Sequence, residues 1–326
     1  MARRFTEDEI IARLFAPLAG PAALGLRDDA ALLPARENPI VATSDALVAG
    51  VHFFESDPPG AIARKALRVN LSDLAAKGAA PIGFLLAIAL PRDWTNDWLT
   101  AFAAGLGEDA RDFGCPLLGG DTVSTPGPLT VSITALGEAL GGVFIARTGG
   151  RAGDGVYVSG TIGDAALGLR LRRDEAFARR LSAPARDHLL ERYLAPRPRV
   201  DLAGLLRRHA SAAMDVSDGL AGDLAKLARA SKLGARARLA RVPLSDAARE
   251  AIALDPGLLE MALTGGDDYE ILCCVGAEAA RFEADARALN APFARIGELI
   301  AGEPETSFLD EHGKYISFNV LSFSHF

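Results

Sequence analysis

The chain is organised around the stretch Val69-Asn70-Leu71-Ser72-Asp73-Leu74-Ala75-Ala76-Lys77-Gly78. Helical spacing places Asn70, Asp73 and Lys77 on one stripe and leaves apolar side chains on the other faces. The stretch therefore predicts a largely buried helix with one polar stripe. A buried carboxylate is costly unless a cation or hydrogen bonds compensate it, so Asp73 should meet a positive charge. Two partners stay open at this point: Lys77, one turn further on, or a metal ion.

Composition limits the class of protein. The 326 residues are 49% hydrophobic and 24% charged, which is typical of a globular chain with room for two domains. The net charge of −7 argues against a general nucleic-acid binder, because affinity for the phosphate backbone needs clustered Lys and Arg. The three cysteines form neither a disulfide framework nor a zinc pattern. The longest apolar run, Ile82–Leu90, is too short to cross a bilayer, and no signal peptide is visible. We expect a cytoplasmic protein without membrane contact.

The first half of the chain predicts the order α, β, β, α, β, α, β, β. A capping box of Thr6 and Glu9 begins the first helix. An order of this kind indicates an α+β domain rather than a regularly alternating parallel one. The predicted strands are the apolar segment Ala30–Leu33, Val41–Val48, Ile82–Leu90, Pro116–Thr122 and Leu129–Leu136. The second and third predicted helices are the stretch Val69 to Gly78 quoted above and Trp94–Phe113.

The glycine-rich segment Gly149–Gly155 predicts a domain boundary. A strand, a glycine turn and a helix from Asp164 follow, an order that can hold a phosphate at the helix N-terminus or simply reverse the chain. No Walker A pattern occurs, which disfavours a P-loop enzyme. The arginine-rich span Leu169–Arg192 indicates a solvated helical region, and Asp218 is placed to cap a helix that begins at Leu220.

Aspartates recur after strand-like runs or beside glycines. Each one alone is typical of a cap or a turn. Their recurrence, with no nearby His or Cys cluster, favours Mg²⁺, which commonly joins carboxylates to substrate phosphates. The chemistry indicated is phosphoryl transfer or ATP-driven activation. The acids in question are Asp28, Asp29, Asp45, Asp73, Asp121, Asp215, Asp218, Asp267 and Asp268.

Together these motifs resemble the thiamine-monophosphate kinase family, in the superfamily of aminoimidazole ribonucleotide synthetase, selenophosphate synthetase and a hydrogenase maturation protein. The resemblance runs in order over almost the full length. The motifs that carry it are Arg27-Asp28-Asp29-Ala30-Ala31, Thr43-Ser44-Asp45, Gly50-Val51-His52-Phe53, Val69 to Gly78, Gly119-Gly120-Asp121-Thr122, Arg147-Thr148-Gly149, Asp215-Val216-Ser217-Asp218-Gly219-Leu220 and Gly265-Gly266-Asp267-Asp268-Tyr269-Glu270.

The resemblance implies the two-domain aminoimidazole ribonucleotide synthetase-like fold, with an α+β domain over residues 1–148 and an α/β domain over 149–326. It also implies a homodimer formed through the N-terminal sheets, and ATP with several Mg²⁺ ions in the cleft between the domains. No side chain would act as a general base. By motif position the metal ligands would be Asp29, Thr43, Ser44, Asp45, Asp73, Asp121, Asp215 and Asp218, with Asp28 as second choice. The residues that contact ATP would be Gly120, Asp121, Arg147 and Ser217. The residues that contact thiamine monophosphate would be His52, Asp267 and Phe323.

Two positions depart from the family pattern: Arg27 stands where Gly is usual, and Asp267 where Glu is usual. Among sibling enzymes, selenophosphate synthetase would need a glycine-rich segment with a reactive Cys, and nothing before Asp28 supplies one. The hydrogenase maturation protein ends in Cys, whereas residues 324–326 read Ser-His-Phe. Aminoimidazole ribonucleotide synthetase is not expected to carry the Gly50–Phe53 motif with this C-terminus. A silent binder of nucleotide or thiamine phosphate is disfavoured because every metal position keeps its acid.

Overall fold

The computed structural model describes residues 3–291, 293–318 and 320–323. The chain forms two compact units. The first contains the residues up to Leu74 together with Ala79–Gly142, and the second contains Ala75–Gly78 together with the residues from Val143 on. No helix in the described part of the chain is both long enough and apolar enough to cross a membrane.

A mixed sheet forms the centre of the first unit. Within the described residues it has four strands in the order β1-β4-β2-β3; β4 runs antiparallel to β1 and β2, and β3 runs parallel to β2. The strands are β1 (Ile40–Val48), β2 (Ala80–Pro91), β3 (Leu117–Thr125) and β4 (Thr130–Glu138), and the helices are α1 (Glu7–Ile10), α2 (Pro59–Ala76) and α3 (Asn96–Asp112).

The alternating strands of this sheet bury one face. Phe84, Leu86 and Ile88 of β2 are buried, whereas Leu85 between them is 40% exposed, as a period of two requires. Helices α2 and α3 approach each other at two glycines, because a Cβ on Gly105 would lie 2.5 Å from the Cα of Gly60. The predicted buried helix is confirmed as the second half of α2, and Lys77 lies directly after its end.

Two local predictions for the first unit have clear outcomes. The capping box is confirmed, since the Thr6 hydroxyl accepts from the Glu9 backbone N–H and the Glu9 carboxylate accepts from that of Thr6. The strand predicted at Ala30–Leu33 is wrong, because that segment has no regular structure and Leu32 is 72% exposed. An extended segment becomes a strand only when a neighbouring strand pairs its backbone groups along its length. Here the Leu32 N–H donates to the Ala22 carbonyl oxygen at 2.8 Å, but no strand pairs with the segment among the described residues.

The second unit contains a larger sheet with helices around it. Its described strands follow the order β11-β10-β7-β9-β5-β8-β6, and every neighbouring pair is antiparallel except β10 with β7. The strands are β5 (Gly155–Ser159), β6 (Ala210–Asp215), β7 (Gly234–Arg238), β8 (Ile271–Val275), β9 (Phe293–Ile300), β10 (Thr306–Leu309) and β11 (Tyr315–Ile316). The helices are α4 (Asp164–Arg173), α5 (Glu175–Ala178), α6 (Ala183–Leu194), α7 (Ala203–His209), α8 (Leu220–Ala230), α9 (Asp246–Leu254), α10 (Leu258–Thr264) and α11 (Ala279–Ala288).

The arginine-rich span is only partly solvated, so that prediction was wrong in its extent. Leu171, Phe177 and Leu189 of α4 to α6 are buried in an apolar cluster that also includes residues of α9. Arg192, at the end of the span, is 3% exposed. The apolar side chains between the arginines form a helical stripe, and that stripe pulls part of the span into the core.

Candidate active site

Helix α2 and strand β1 bring two predicted metal ligands into contact. The Thr43 hydroxyl donates a hydrogen bond to Oδ2 of Asp73. Asp45 lies two residues further along β1, on the same strand face as Thr43. Lys77 Nζ donates to the Ala213 carbonyl oxygen at 2.7 Å. In this structure the partner of Asp73 is therefore a hydroxyl group, with Asp45 nearby on the strand.

Ser44 faces the other way. Its hydroxyl lies 2.9 Å from the Thr134 hydroxyl on β4, on the opposite strand face from Thr43 and Asp45. The structure therefore does not bring the Ser44 side chain together with the other two. The alternation of strand residues was the sequence signal that could have separated these neighbours.

A cavity of about 220 Å³ in the first unit brings Asp28, Asp29 and Asp121 together. Its wall includes Gly120, which has a φ of 156° and whose Cβ, if present, would lie 1.8 Å from the Leu86 carbonyl oxygen. Only glycine fits at such a close approach of two backbones. The Asp28 carboxylate accepts from the Asp29 backbone N–H at 2.8 Å, a local turn bond.

The Arg27 departure is accommodated by the local backbone. Arg27 has a φ of −110°, which any L-residue adopts without strain. The left-handed positions of this turn are Leu24, Gly25 and Leu26 instead. The turn before the acid pair therefore forms without a glycine at position 27.

His52 lies in the turn after β1 with a defined orientation. Its Nδ1 accepts a hydrogen bond from the Val48 backbone N–H at 3.0 Å, so the neutral ring carries its proton on Nε2. The buried Lys65 donates to the His52 carbonyl oxygen at 3.0 Å. These bonds fix the orientation of the ring and of the turn that carries it.

Arg147 lies in a single 3-10 turn of the second unit. Its guanidinium is exposed, and its carbonyl oxygen accepts from the hydroxyl of Ser231, just after α8, at 2.8 Å. The backbone is therefore fixed while the charged group stays accessible.

Two loops of the second unit are joined by backbone hydrogen bonds. The loop after β6 carries Ser217, whose carbonyl oxygen accepts from the Asp267 N–H at 2.8 Å. Val216 exchanges bonds of 2.8 Å with the other loop, donating to the Glu270 carbonyl and accepting from the Tyr269 N–H. The residues predicted to bind ATP and thiamine monophosphate in this unit are therefore neighbours.

The C-terminal segment joins the same cluster. The Phe323 N–H donates to the Asp218 carbonyl oxygen at 3.0 Å, and the Phe323 side chain is 48% exposed. A Cβ on Gly222 would meet the Ser322 side chain at 2.4 Å, so the segment lies against α8. The prediction made from residues 324–326 concerns positions outside the described residues.

Asp218 does not cap α8, because Gly219 occupies the cap position without a side-chain bond. Its carboxylate instead pairs with Lys226, which also bonds the buried Asp223 at 2.8 Å. Burial raises the pKa of the Asp223 carboxyl. Sequence reasoning missed Lys226, although the i,i+3 spacing of Asp223 and Lys226 on a helix was a usable signal.

The backbone donor of the glycine turn before α4 is bonded to a side chain of the protein itself. The Gly163 backbone N–H, at the helix N-terminus, donates to the carboxylate of Asp268 at 2.8 Å. Asp268 is 1% exposed, and burial raises the pKa of its carboxyl well above the ordinary range. The turn thus binds an internal carboxylate, which supports chain reversal over phosphate binding.

The oxygen donors suit metal ions that arrive with a nucleotide. Within the described residues, no group of three or more His, Cys, Asp or Glu side chains lies close enough to hold a metal ion. The candidates occur as carboxylates that line one cavity, such as Asp29 and Asp121, or as a carboxylate bonded to a hydroxyl, as in Asp73 with Thr43. Mg²⁺ commonly binds through one or two carboxylates plus substrate phosphates, so this donor set fits it.

Comparisons with known proteins identify the fold and the family of the chain. Residues 27–139 match the family model described as AIR synthase related protein, N-terminal domain, and residues 151–310 match the corresponding C-terminal domain. The chain therefore has the two-domain AIR synthase-like fold of the AIR synthase related proteins. Solved structures of the hydrogenase maturation protein HypE share this fold at 22% identity, with a TM-score of 0.79 for one of them.

Relatives narrow the assignment. The thiamine-monophosphate kinase of Caulobacter vibrioides is 46% identical over 93% of this chain and 86% of its own, and that of Escherichia coli K12 is 39% identical over 93% and 92%. The crystal structure of thiamine-monophosphate kinase from Stenotrophomonas maltophilia K279a superposes with a TM-score of 0.83 at 38% identity, covering 95% of this chain and 96% of its own. The chain belongs to the thiamine-monophosphate kinase family. The family expected from the sequence motifs is thereby confirmed.

Proposed function

We propose that this protein transfers the γ-phosphoryl group of ATP to the phosphate of thiamine monophosphate, forming thiamine diphosphate. The observation that carries the proposal is the joined cluster of Ser217, Asp218, Asp267 and Phe323, which unites residues predicted for both substrates. A family relative described as AaThiL complexed with AMPPCP and TMP supports it, with a TM-score of 0.77 and 28% identity over 98% of this chain and 94% of its own.

The reaction needs no general base. The attacking oxygen belongs to a phosphate whose second pKa is about 6, so it is already anionic near neutral pH. The remaining difficulty is the repulsion between two polyanions, and aspartate-held Mg²⁺ would supply charge neutralisation and alignment when bound. The proposed ligands are Asp29, Thr43, Ser44, Asp45, Asp73, Asp121, Asp215 and Asp218, and Ser44 would take part through its main chain, since its side chain faces away from Thr43.

The other residues of the chain would bind and orient the substrates. The exposed guanidinium of Arg147 would donate charge-assisted hydrogen bonds to ATP phosphates, and Gly120 and Ser217 would also contact ATP. His52 would contact the thiamine substrate. Phe323 would stack on one of its rings, and Asp267 would accept from its aminopyrimidine or face its thiazolium charge.

A homodimer in the cytoplasm, with domains over residues 1–148 and 149–326, completes the proposal. The observation that supports the dimer is the outer face of the first sheet, where Ile40, Leu85 and Val123 are each at least 40% exposed. Apolar side chains gathered on one sheet face are typical of a buried interface. Size-exclusion chromatography with light scattering on Leu85→Glu should give a monomer, and an unchanged mass would remove this face from the dimer.

Product analysis tests the activity. The protein is incubated with ATP, Mg²⁺ and thiamine monophosphate, with free thiamine and selenide as parallel substrates, and products are separated by chromatography. We expect thiamine diphosphate from the monophosphate alone, and none in the presence of EDTA. Product from selenide would indicate a sibling synthetase, and ATP binding without any product would indicate a silent binder.

A further inference from the structure

The loop that carries Asp267 has an unfavourable backbone. Asp267 has a φ of 66° and Tyr269 a φ of 52°, left-handed values that residues other than glycine rarely adopt. Asp268, between them, is buried, and the Tyr269 hydroxyl lies 3.3 Å from Oδ1 of Asp267. Conformations of this kind persist only where the surroundings hold them, and they concentrate at functional sites.

A buried group of charges holds the end of this loop. Glu270 has no exposed surface, and its two carboxylate oxygens accept from Arg199 Nε at 2.6 Å and from Arg199 Nη2 at 2.7 Å. Arg192 Nη2 adds a bond of 2.9 Å, and the Ser159 hydroxyl one of 2.6 Å. The two-pronged geometry of Arg199 fixes the carboxylate in direction as well as in place.

The same group reaches the loop backbone. Arg192 Nη2 also donates to the Asp268 carbonyl oxygen at 3.2 Å. On the other side, the Glu270 carbonyl accepts from Val216, and the Asp267 N–H donates to Ser217. The strained segment is therefore clamped between two arginines and the loop after β6.

We propose that Arg199, with Arg192, is a positioning residue for the thiamine substrate: by holding Glu270 it fixes the left-handed backbone that presents Asp267. The inference rests on the proposed function and deepens it. The guanidinium of Arg199 is bonded to Glu270, so its effect on the substrate would pass through the loop to Asp267. Loss of the clamp lets the loop relax toward ordinary backbone conformations and moves the Asp267 carboxylate away from its ligand.

The main experiment compares two arginines of the same segment. Arg199→Met removes the clamp, while Arg197→Met removes a surface pair in which Arg197 and Glu191 are 51% and 57% exposed. Steady-state kinetics are measured well below each variant's Tm. We expect Arg199→Met to raise the KM for thiamine monophosphate about tenfold with the KM for ATP nearly unchanged. Arg197→Met should match the wild-type protein, and Arg199→Lys, which keeps the charge, should recover part of the loss.

A double variant separates positioning from simple stabilisation. If Arg199 acts through Asp267, Asp267→Ala combined with Arg199→Met should have the KM of Asp267→Ala alone. Additive effects, equal rises in both KM values, or a lowered Tm with unchanged kinetics would each overturn the proposal. If Arg199→Met does not fold, Arg199→Lys is compared with Arg197→Met instead. Lysine cannot make the two-pronged contact with Glu270, so a wild-type KM for thiamine monophosphate in Arg199→Lys would count against the clamp.

The proposed function fails on a different result. The proposed function would be wrong if the wild-type protein formed no thiamine diphosphate and showed no binding of thiamine monophosphate by calorimetry. A wild-type protein that binds and phosphorylates thiamine monophosphate, with Arg199→Met behaving like Arg197→Met, would overturn only the positioning role.

Discussion

Replacing Asp73 with Asn separates its proposed role in metal binding from its role in the fold. The Asp73 carboxylate accepts a hydrogen bond from the Thr43 hydroxyl, and an Asn side chain keeps an acceptor oxygen in the same place. A bond to a charged acceptor is worth about 1.5–3 kcal/mol and a neutral one about 0.5–1.5 kcal/mol. The substitution should therefore cost about 1 kcal/mol, a shift in Tm of roughly 2–4 °C.

The effect of Asp73→Asn on turnover should be far larger. Removing a residue that hydrogen-bonds to a metal ligand lowers metal affinity by about 10–100-fold. Removing the ligand itself should therefore lower kcat/KM at limiting Mg²⁺ by about a hundredfold or more. Asp45→Ala and Asp121→Ala should likewise abolish turnover, and both variants should stay folded with an unchanged oligomeric state.

Three measurements on the same samples check this prediction: thermal unfolding by circular dichroism, product formation across a Mg²⁺ titration, and Mn²⁺ binding by electron paramagnetic resonance. Asp97→Asn is the control, because Asp97 is an exposed residue in the first turn of α3. Wild-type Mg²⁺ dependence in Asp73→Asn would refute the metal role. A loss of more than about 10 °C in Tm would show instead that the carboxylate supports the fold.

Further predictions concern the substrate, pH and thiols. Alanine at His52 or Phe323 should raise the KM for thiamine monophosphate and leave that for ATP nearly unchanged, and a loss confined to ATP would show the assignment reversed. Because burial raises the pKa of Asp268, its ionisation costs stability above the unfolded pKa of about 3.9. The Tm of the wild-type protein should therefore fall relative to Asp268→Asn as pH rises above about 4, and the opposite trend would show a carboxylate stabilised in its charged form. Burial raises the pKa of Cys115 to about 12, and all three cysteines are buried. Ellman's reagent should modify none in the folded protein and three after denaturation; rapid reaction before denaturation would contradict this burial.

Much of the local structure was readable in the sequence because short-range forces decide it. The capping box of Thr6 and Glu9 needs only four residues, and the apolar spacing of residues 69–76 needs only one helix. The strand at Val41–Val48 was placed within one residue of β1. The prediction of a strand at Ala30–Leu33 was wrong because strand pairing depends on a distant neighbour rather than on the segment itself.

The candidate site shows the same division. The motifs located the acids, and period-two alternation could have shown that Ser44 and Thr43 face opposite ways. Nothing local indicated that Asp218 pairs with Lys226 instead of capping α8, since both roles suit an aspartate before a helix.

By itself, then, the sequence determined the family, the main helices and strands, and the residue types available for phosphoryl transfer. Only the tertiary structure decided that Arg192 and Arg199 meet Glu270, more than 70 residues along the chain, and that Asp267 is held in a left-handed backbone beside Ser217. The physical reason is burial. An arginine in a helical, arginine-rich span is solvated by default, and it becomes a buried partner only where the packing of the whole unit excludes water and brings a carboxylate to it.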